Sequence, residues 1–191
     1  MAEPNGKTCG ACGLCCKLLA IEVLHKDAGQ WCKDYVRSKG CGIYAERPPP
    51  CVSFKCEWLM SRELGDEWRP DRARFLMFYD EQRRRLSVVV DQGSPHAWKR
   101  EPYYSKIKRL SERTADGEKI LICIGDRRIV VFPDQDVDLG VVNPDHKIVS
   151  GYARREGQRI PFAMVVSDIE ESLLPSGEGG VGGGGDTPSP S

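Results

Sequence analysis

Eight of the nine cysteines fall in one stretch: Cys9, Cys12, Cys15, Cys16, Cys32, Cys41, Cys51 and Cys56. They open as C-x2-C-x2-C-C and continue as single cysteines between polar, Gly- and Pro-rich spacers. Two cysteines three apart on a turn bring both sulfurs to the same side of one cation, and tetrahedral zinc takes four such ligands at ~2.3 Å. Gly10 and Gly13 suit this chemistry, because glycine adopts positive φ cheaply and lets N–H groups turn towards negative sulfurs. Gly40 and Gly42 bracket Cys41, and Cys51 and Cys56 form a C-x4-C pair after Pro48-Pro49-Pro50. The stretch has too few large apolar residues for a core of its own. A structural metal site compensates, since it supplies ~10 kcal/mol or more of folding free energy.

Three kinds of chemistry compete for these thiols. In the first, the eight cysteines hold zinc, either as two sites of four thiolates or as one binuclear site, and full coordination makes the sites structural. Eight thiolates around two dications leave an excess of four negative charges, for which Lys17, Lys33, Arg47 and Lys55 stand nearby in sequence. In the second, the thiolates hold iron and inorganic sulfide. Cys9, Cys12 and Cys15 match the opening of a ferredoxin ligand run, but Cys16 is adjacent where three residues should intervene. In the third, a thiolate is a nucleophile or redox group. No glycine fingerprint for a cofactor and no Ser/His/Asp arrangement supports an enzyme, so binding is favoured over catalysis. An odd cysteine count and the adjacent Cys15-Cys16 pair fit a disulfide framework poorly.

The residues CGACGLCC, then Trp31-Cys32, then GCGIYAERPPPC-x4-C-x-WL, resemble the YkgJ-like cysteine cluster family, named for zinc or iron chelation. The resemblance covers about a third of the chain, from Cys9 to Leu59, and includes Gly40, Tyr44, Arg47, Pro48, Phe54 and Trp58. Val52 departs from it, standing where the family often carries arginine. It implies a metal site formed by the eight cysteines and no particular substrate. A similar cluster in flagellin lysine methylases leaves a modifying enzyme as an alternative by analogy.

The elements that must position these residues read as follows. Lys17–Val23 is apolar enough for a strand or helical turn beneath the cluster, Pro48–Pro50 stiffens the approach to Cys51, and Glu57 begins a helix. Residues 61–71 read as helix passing into loop, with Pro70 as the stop. Strands are predicted over 74–79 and 86–91, 118–124 and 128–132, 137–142, 147–153 and 160–166, with an amphipathic helix over 101–114. Arg83-Arg84-Arg85 reads as a solvated hairpin turn. The resulting class is α+β: a small metal-stabilised cysteine-rich module packed on a β-rich half with antiparallel strands and one or two helices. The boundaries are a disordered lead at 1–8, the module at 9–60, the β-rich region at 61–170 and a Gly/Pro/Ser-rich disordered tail at 171–191.

Composition narrows the partners. Of 191 residues, 28 are Lys or Arg and 28 are Asp or Glu, so no global field draws nucleic acid. Residues 61–128 are mildly basic, whereas 129–191 carry ten acids against four bases. That asymmetry reads as solvation and disfavours a nucleic-acid role. No secretory pattern opens the chain and no apolar run approaches ~18 residues, so a cytoplasmic protein without a membrane partner is expected. A protein partner stays open. His25, His96 and His146 read as surface groups, Cys123 as a small hydrophobe in a strand, and Trp31, Tyr44, Phe54 and Trp58 as a shell over the metal.

Overall fold

The structure is a computed structural model, described here over residues 6–112 and 118–166. The expected tail at 171–191 lies outside the described residues. The runs of β-branched and aromatic residues after Arg74 form β3 (Phe75–Asp80) and β4 (Arg85–Val90), an antiparallel pair in which Phe75 faces Val90. β4 then pairs in parallel with β5 (Lys119–Ile124). A parallel neighbour requires a crossover, and the connection contains α5 (Tyr103–Ser111). β6 (Arg127–Val131) returns after the two-residue turn Gly125-Asp126, and β7 (Asp136–Val141) completes the sheet, in the order β3-β4-β5-β6-β7. A separate hairpin joins β8 (Lys147–Arg155) to β9 (Gln158–Val166). Its turn residues Glu156 and Gly157 both have positive φ, as a tight two-residue hairpin demands.

Both faces of the sheet are covered. On one, Phe75, Met77, Val88, Val90, Ile120, Ile122 and Val131 pack with Trp98, Tyr103 and Ile107. The other face is shared. Leu76 and Val89 pack against Leu14, Leu18 and Cys12, while Leu121, Val130 and Phe132 lie under Ile148, Tyr152 and Ala163 of the β8–β9 hairpin. Two-sided burial explains why Ile120–Ile124 is a nearly continuous apolar run rather than an alternating one. Mixed helices and strands with mainly antiparallel pairing agree with the expected class. The helices are more numerous and far shorter than expected.

The cysteine-rich module is built from pieces too short to be stable alone: α1 (Cys15–Leu18), β1 (Tyr35–Val36), β2 (Gly40–Cys41), α2 (Pro49–Ser53) and α3 (Glu57–Met60). Pro49 and Pro50 do more than stiffen an approach, since they occupy the first turn of α2, which carries Cys51. Pro70 likewise starts α4 (Pro70–Ala73) instead of stopping a helix, because its fixed φ suits a first helical position. Residues 61–69 hold only a single 3-10 turn, Asp66–Trp68. Arg85 lies in β4 rather than in the turn.

Two attachments fix the module to the sheet. α3 packs on the edge strand β3, and the Glu57 carboxylate accepts the N–H of Tyr79. Asp91, at the end of β4 and 1 % exposed, takes Lys17 Nζ at 2.6 Å and Arg74 at 3.1 Å. Of the lead expected to lack structure, residues 1–5 lie outside the described residues; Lys7 is held, its ammonium donating to the carbonyls of Trp58, Ser61 and Leu64.

Candidate metal centre

The turn geometry anticipated from the glycines is present. Gly10 and Gly13 have φ of +47° and +59°, and Gly40 has +89°. Two close approaches depend on them: a Cβ at Gly13 would stand 2.3 Å from the Tyr35 ring, and one at Gly40 would stand 2.2 Å from the Gly10 carbonyl oxygen. These contacts fold the C-x2-C-x2-C-C segment onto the β1–β2 hairpin. The Cys32 N–H donates to the Cys16 carbonyl at 2.8 Å, bringing a cysteine sixteen positions later beside the first four.

All eight cysteines of the cluster line one cavity of about 210 Å³, with Leu19, Tyr44, Arg47, Pro48, Phe54 and Trp58 among the other walls. Backbone N–H groups already address the sulfurs. Leu14 N–H donates to Cys12, Ile43 N–H to Cys41, and Trp58 and Leu59 N–H to Cys56. Such donors stabilise thiolate charge, and they occur two or three residues beyond the cysteine, as a metal-binding turn requires. The donor set and its backbone setting therefore fit a thiophilic metal. As the side chains stand, no group of three or more His, Cys, Asp or Glu among the described residues converges closely enough to hold an ion. Closing a coordination sphere requires the sulfurs to rotate into the cavity they line.

Electrostatics divide the cavity. Burial pushes the Cys12 thiol up to about 12, against the opposing N–H of Leu14, and burial also raises Cys41, Cys51 and Cys56. Cys15 and Cys16 share a hydrogen bond that keeps the proton on Cys15 and favours Cys16 as thiolate. That bond, with Lys26 and Arg47 nearby, lowers Cys16 to about 7 despite its burial. Lys26 is 8 % exposed, and its ammonium donates to the carbonyls of Lys17 and Leu19. Burial draws its pKa down while Cys16 and Cys32 act in the opposite sense. Arg47 stacks 3.7 Å over the Tyr44 ring and donates to the carbonyls of Tyr44 and Cys51.

Of the bases expected to offset thiolate charge, Arg47 lines the cavity, whereas Lys17 is spent on Asp91. Lys26 was not anticipated. Its sequence context is an ordinary His-Lys-Asp turn, and only an isolated bridge between Ile21 and Lys26 folds it inward. Trp31 also differs from expectation: it is 48 % exposed and stacks on Tyr35, outside the cavity walls. Tyr44, Phe54 and Trp58 do form walls, and the Tyr44 hydroxyl donates to Cys9. His25, His96 and His146 are exposed, and Cys123 sits in β5 against the β8–β9 hairpin core, remote from the cluster.

In comparisons with known proteins, no family model, curated protein or solved structure matches this chain. Among the described residues, no helix is long and apolar enough to cross a membrane.

Proposed function

We propose that the protein binds metal through thiolates of Cys9, Cys12, Cys15, Cys16, Cys32, Cys41, Cys51 and Cys56, with zinc as the resident ion. The observation that carries this reading is that residues spread over 48 positions line a single cavity. Eight thiols gathered by chance against a folded sheet would scatter over several surfaces. Soft sulfur donors select zinc or iron over oxygen-loving cations. The likeness to the YkgJ-like cysteine cluster family belongs to the same proposal, as does a reducing cytoplasmic setting, in which unpaired thiols persist. None of the nine cysteines is paired in a disulfide. Bound metal stabilises the module and positions its surface, so the role is structural and a protein partner is the natural client.

One observation favours a second reading, an iron–sulfur cluster. A cavity of about 210 Å³ leaves room beyond single ions, enough for inorganic sulfide. Metal and acid-labile sulfide content of protein purified without oxygen separates the two. About two zinc ions and no sulfide support the first; iron with matching sulfide supports the second. Folded, reduced protein that carries neither and takes up neither overturns both.

A further inference from the structure

The eight sulfurs are not equivalent neighbours. Cys51 lies in the field of Cys16, Cys41 and Cys32, and Cys41 in that of Cys16 and Cys32. Cys16 also hydrogen-bonds Cys41, and Cys32 is tied to Cys16 through its backbone. Separately, the Cys12 N–H donates to the Cys9 carbonyl at 3.0 Å, Cys12 feels Cys56 and Cys56 feels Cys9, while Cys15 feels first Cys16 and then Cys9 and Cys12. Packing follows a related division. Cys9 and Cys56 border the core beneath α5, and Cys12 and Cys15 border the core around Leu76, so this set straddles the edge strand β3. Cys15 and Cys16 are adjacent in the chain and form the seam between the two sets.

Countercharge differs just as clearly. A dication held by four thiolates carries a net charge of minus two. The set around Cys16 faces two cations, Lys26 and Arg47, whose hydrogen bonds go to neutral carbonyls; Lys26 acts most on Cys16 and Cys32, and less on Cys15 at the seam. Near the other set, Arg69 is engaged by Asp71 through two hydrogen bonds of 2.7 and 2.6 Å. Lys7, also held by carbonyls, places its ammonium over the Trp58 ring, 5.1 Å from the centroid. Burying charge without a countercharge is costly, and nearby opposite charge offsets that cost.

Resting on metal binding by these thiolates, we propose two separate four-cysteine sites of unequal strength. Cys16, Cys32, Cys41 and Cys51 form the tight site, with Lys26 and Arg47 as positioning residues. Cys9, Cys12, Cys15 and Cys56 form the weaker, exchangeable one. The chain then fills in order, and the second ion is the one available to a competing chelator or a metal-accepting protein.

The test is a stepwise cobalt(II) titration of the reduced, metal-free full chain against a competing chelator, read by the thiolate-to-cobalt absorption band. Wild type should take two equivalents in two steps. The C9S/C56S variant should keep the tight step and lose the weak one, and C32S/C51S should do the reverse. K26M should weaken the tight step by about 10- to 100-fold, as loss of an outer-shell partner does, and the weak step much less, and K26R should restore the tight step. Near-ultraviolet circular dichroism from buried Trp98 reports whether each variant keeps its sheet. If C32S/C51S does not fold, K26M against wild type decides. Loss of both steps in folded C9S/C56S, or equal weakening of both steps by K26M, overturns the division and leaves metal binding standing. Absence of any band in folded wild type overturns the metal reading itself.

Discussion

The sheet and the cysteine module solve the problem of stability by different means. In the sheet, Val88, Ile122, Val130 and Val131 are fully buried, as is Ile107 of α5, and Trp98 is 1 % exposed. In the module, helices of four or five residues and a two-residue hairpin surround a cavity rather than a packed core. Its buried residues, such as Leu14 and Leu18, gain their cover by leaning on Leu76 of the sheet. The difference teaches where the free energy comes from: apolar burial in one region, and in the other attachment to its neighbour, to which the proposed metal binding would add thiolate–metal bonds.

On the proposed metal binding, the largest expected effect comes from removing the ion. Stripping it from reduced protein should release ~10 kcal/mol or more of stabilisation from residues 9–60 alone. Hydrogen exchange should then rise throughout the module while the amides of Val88 and Ile122 stay protected. Unchanged protection around Cys12 and Cys41 would erase the contrast between the regions. Next comes Trp98→Ala, which leaves a cavity in the sheet core and should cost about 3–5 kcal/mol in urea denaturation. A cost below about 1 kcal/mol would mean that the sheet has no core of its own to lose.

Asp91 joins the two regions, so its replacement probes their coupling. Asp91→Asn should cost about 3 kcal/mol, since it leaves Lys17 and Arg74 without their buried partner. Burial alone would raise the Asp91 pKa, but the hydrogen bonds from Lys17 and Gly93 and the charges of Lys17 and Arg74 hold it below the usual carboxylate range. A depressed folded-state pKa stabilises the fold above the unfolded value of about 4 and loses that contribution as pH falls through the folded value. The wild-type acid unfolding curve should therefore steepen below about pH 4, and the variant should lose that component. Identical acid arms would show that the carboxylate does not couple the halves. The smallest effect is Gly40→Ala, where φ of +89° and the approach to the Gly10 carbonyl should cost about 1–3 kcal/mol. That loss should appear as faster exchange in the module, with the sheet unaffected; a uniform loss would mean that both regions unfold as one.

Much of the sheet was legible in the chain. The strand runs at Phe75, Leu86, Ile120 and Ile129 carry β-branched and aromatic residues between turn signals, and local propensity alone places them to within a residue or two. The parallel pairing of β4 with β5 was only half legible: the helix expected over 101–114 permits a crossover, but a helix between strands does not by itself fix which strands pair. The short helices escaped for a different reason. Four residues such as Cys15–Leu18 carry no helical period, and they become helical only where a neighbour packs on them.

For the candidate site, the sequence by itself determined the candidate donors: soft sulfurs, their number, and the glycines that let backbone N–H groups reach them are properties of residue type and spacing. Tertiary structure alone decided which cysteines come together, since the Cys32 backbone bonds that of Cys16 and Cys56 lies in the field of Cys9 across long loops. It also decided that Lys26 turns inward, Lys17 turns to Asp91 and Trp31 stays outside. A charged or aromatic side chain acts through space over a few ångströms, and only the folded path of the backbone sets those distances.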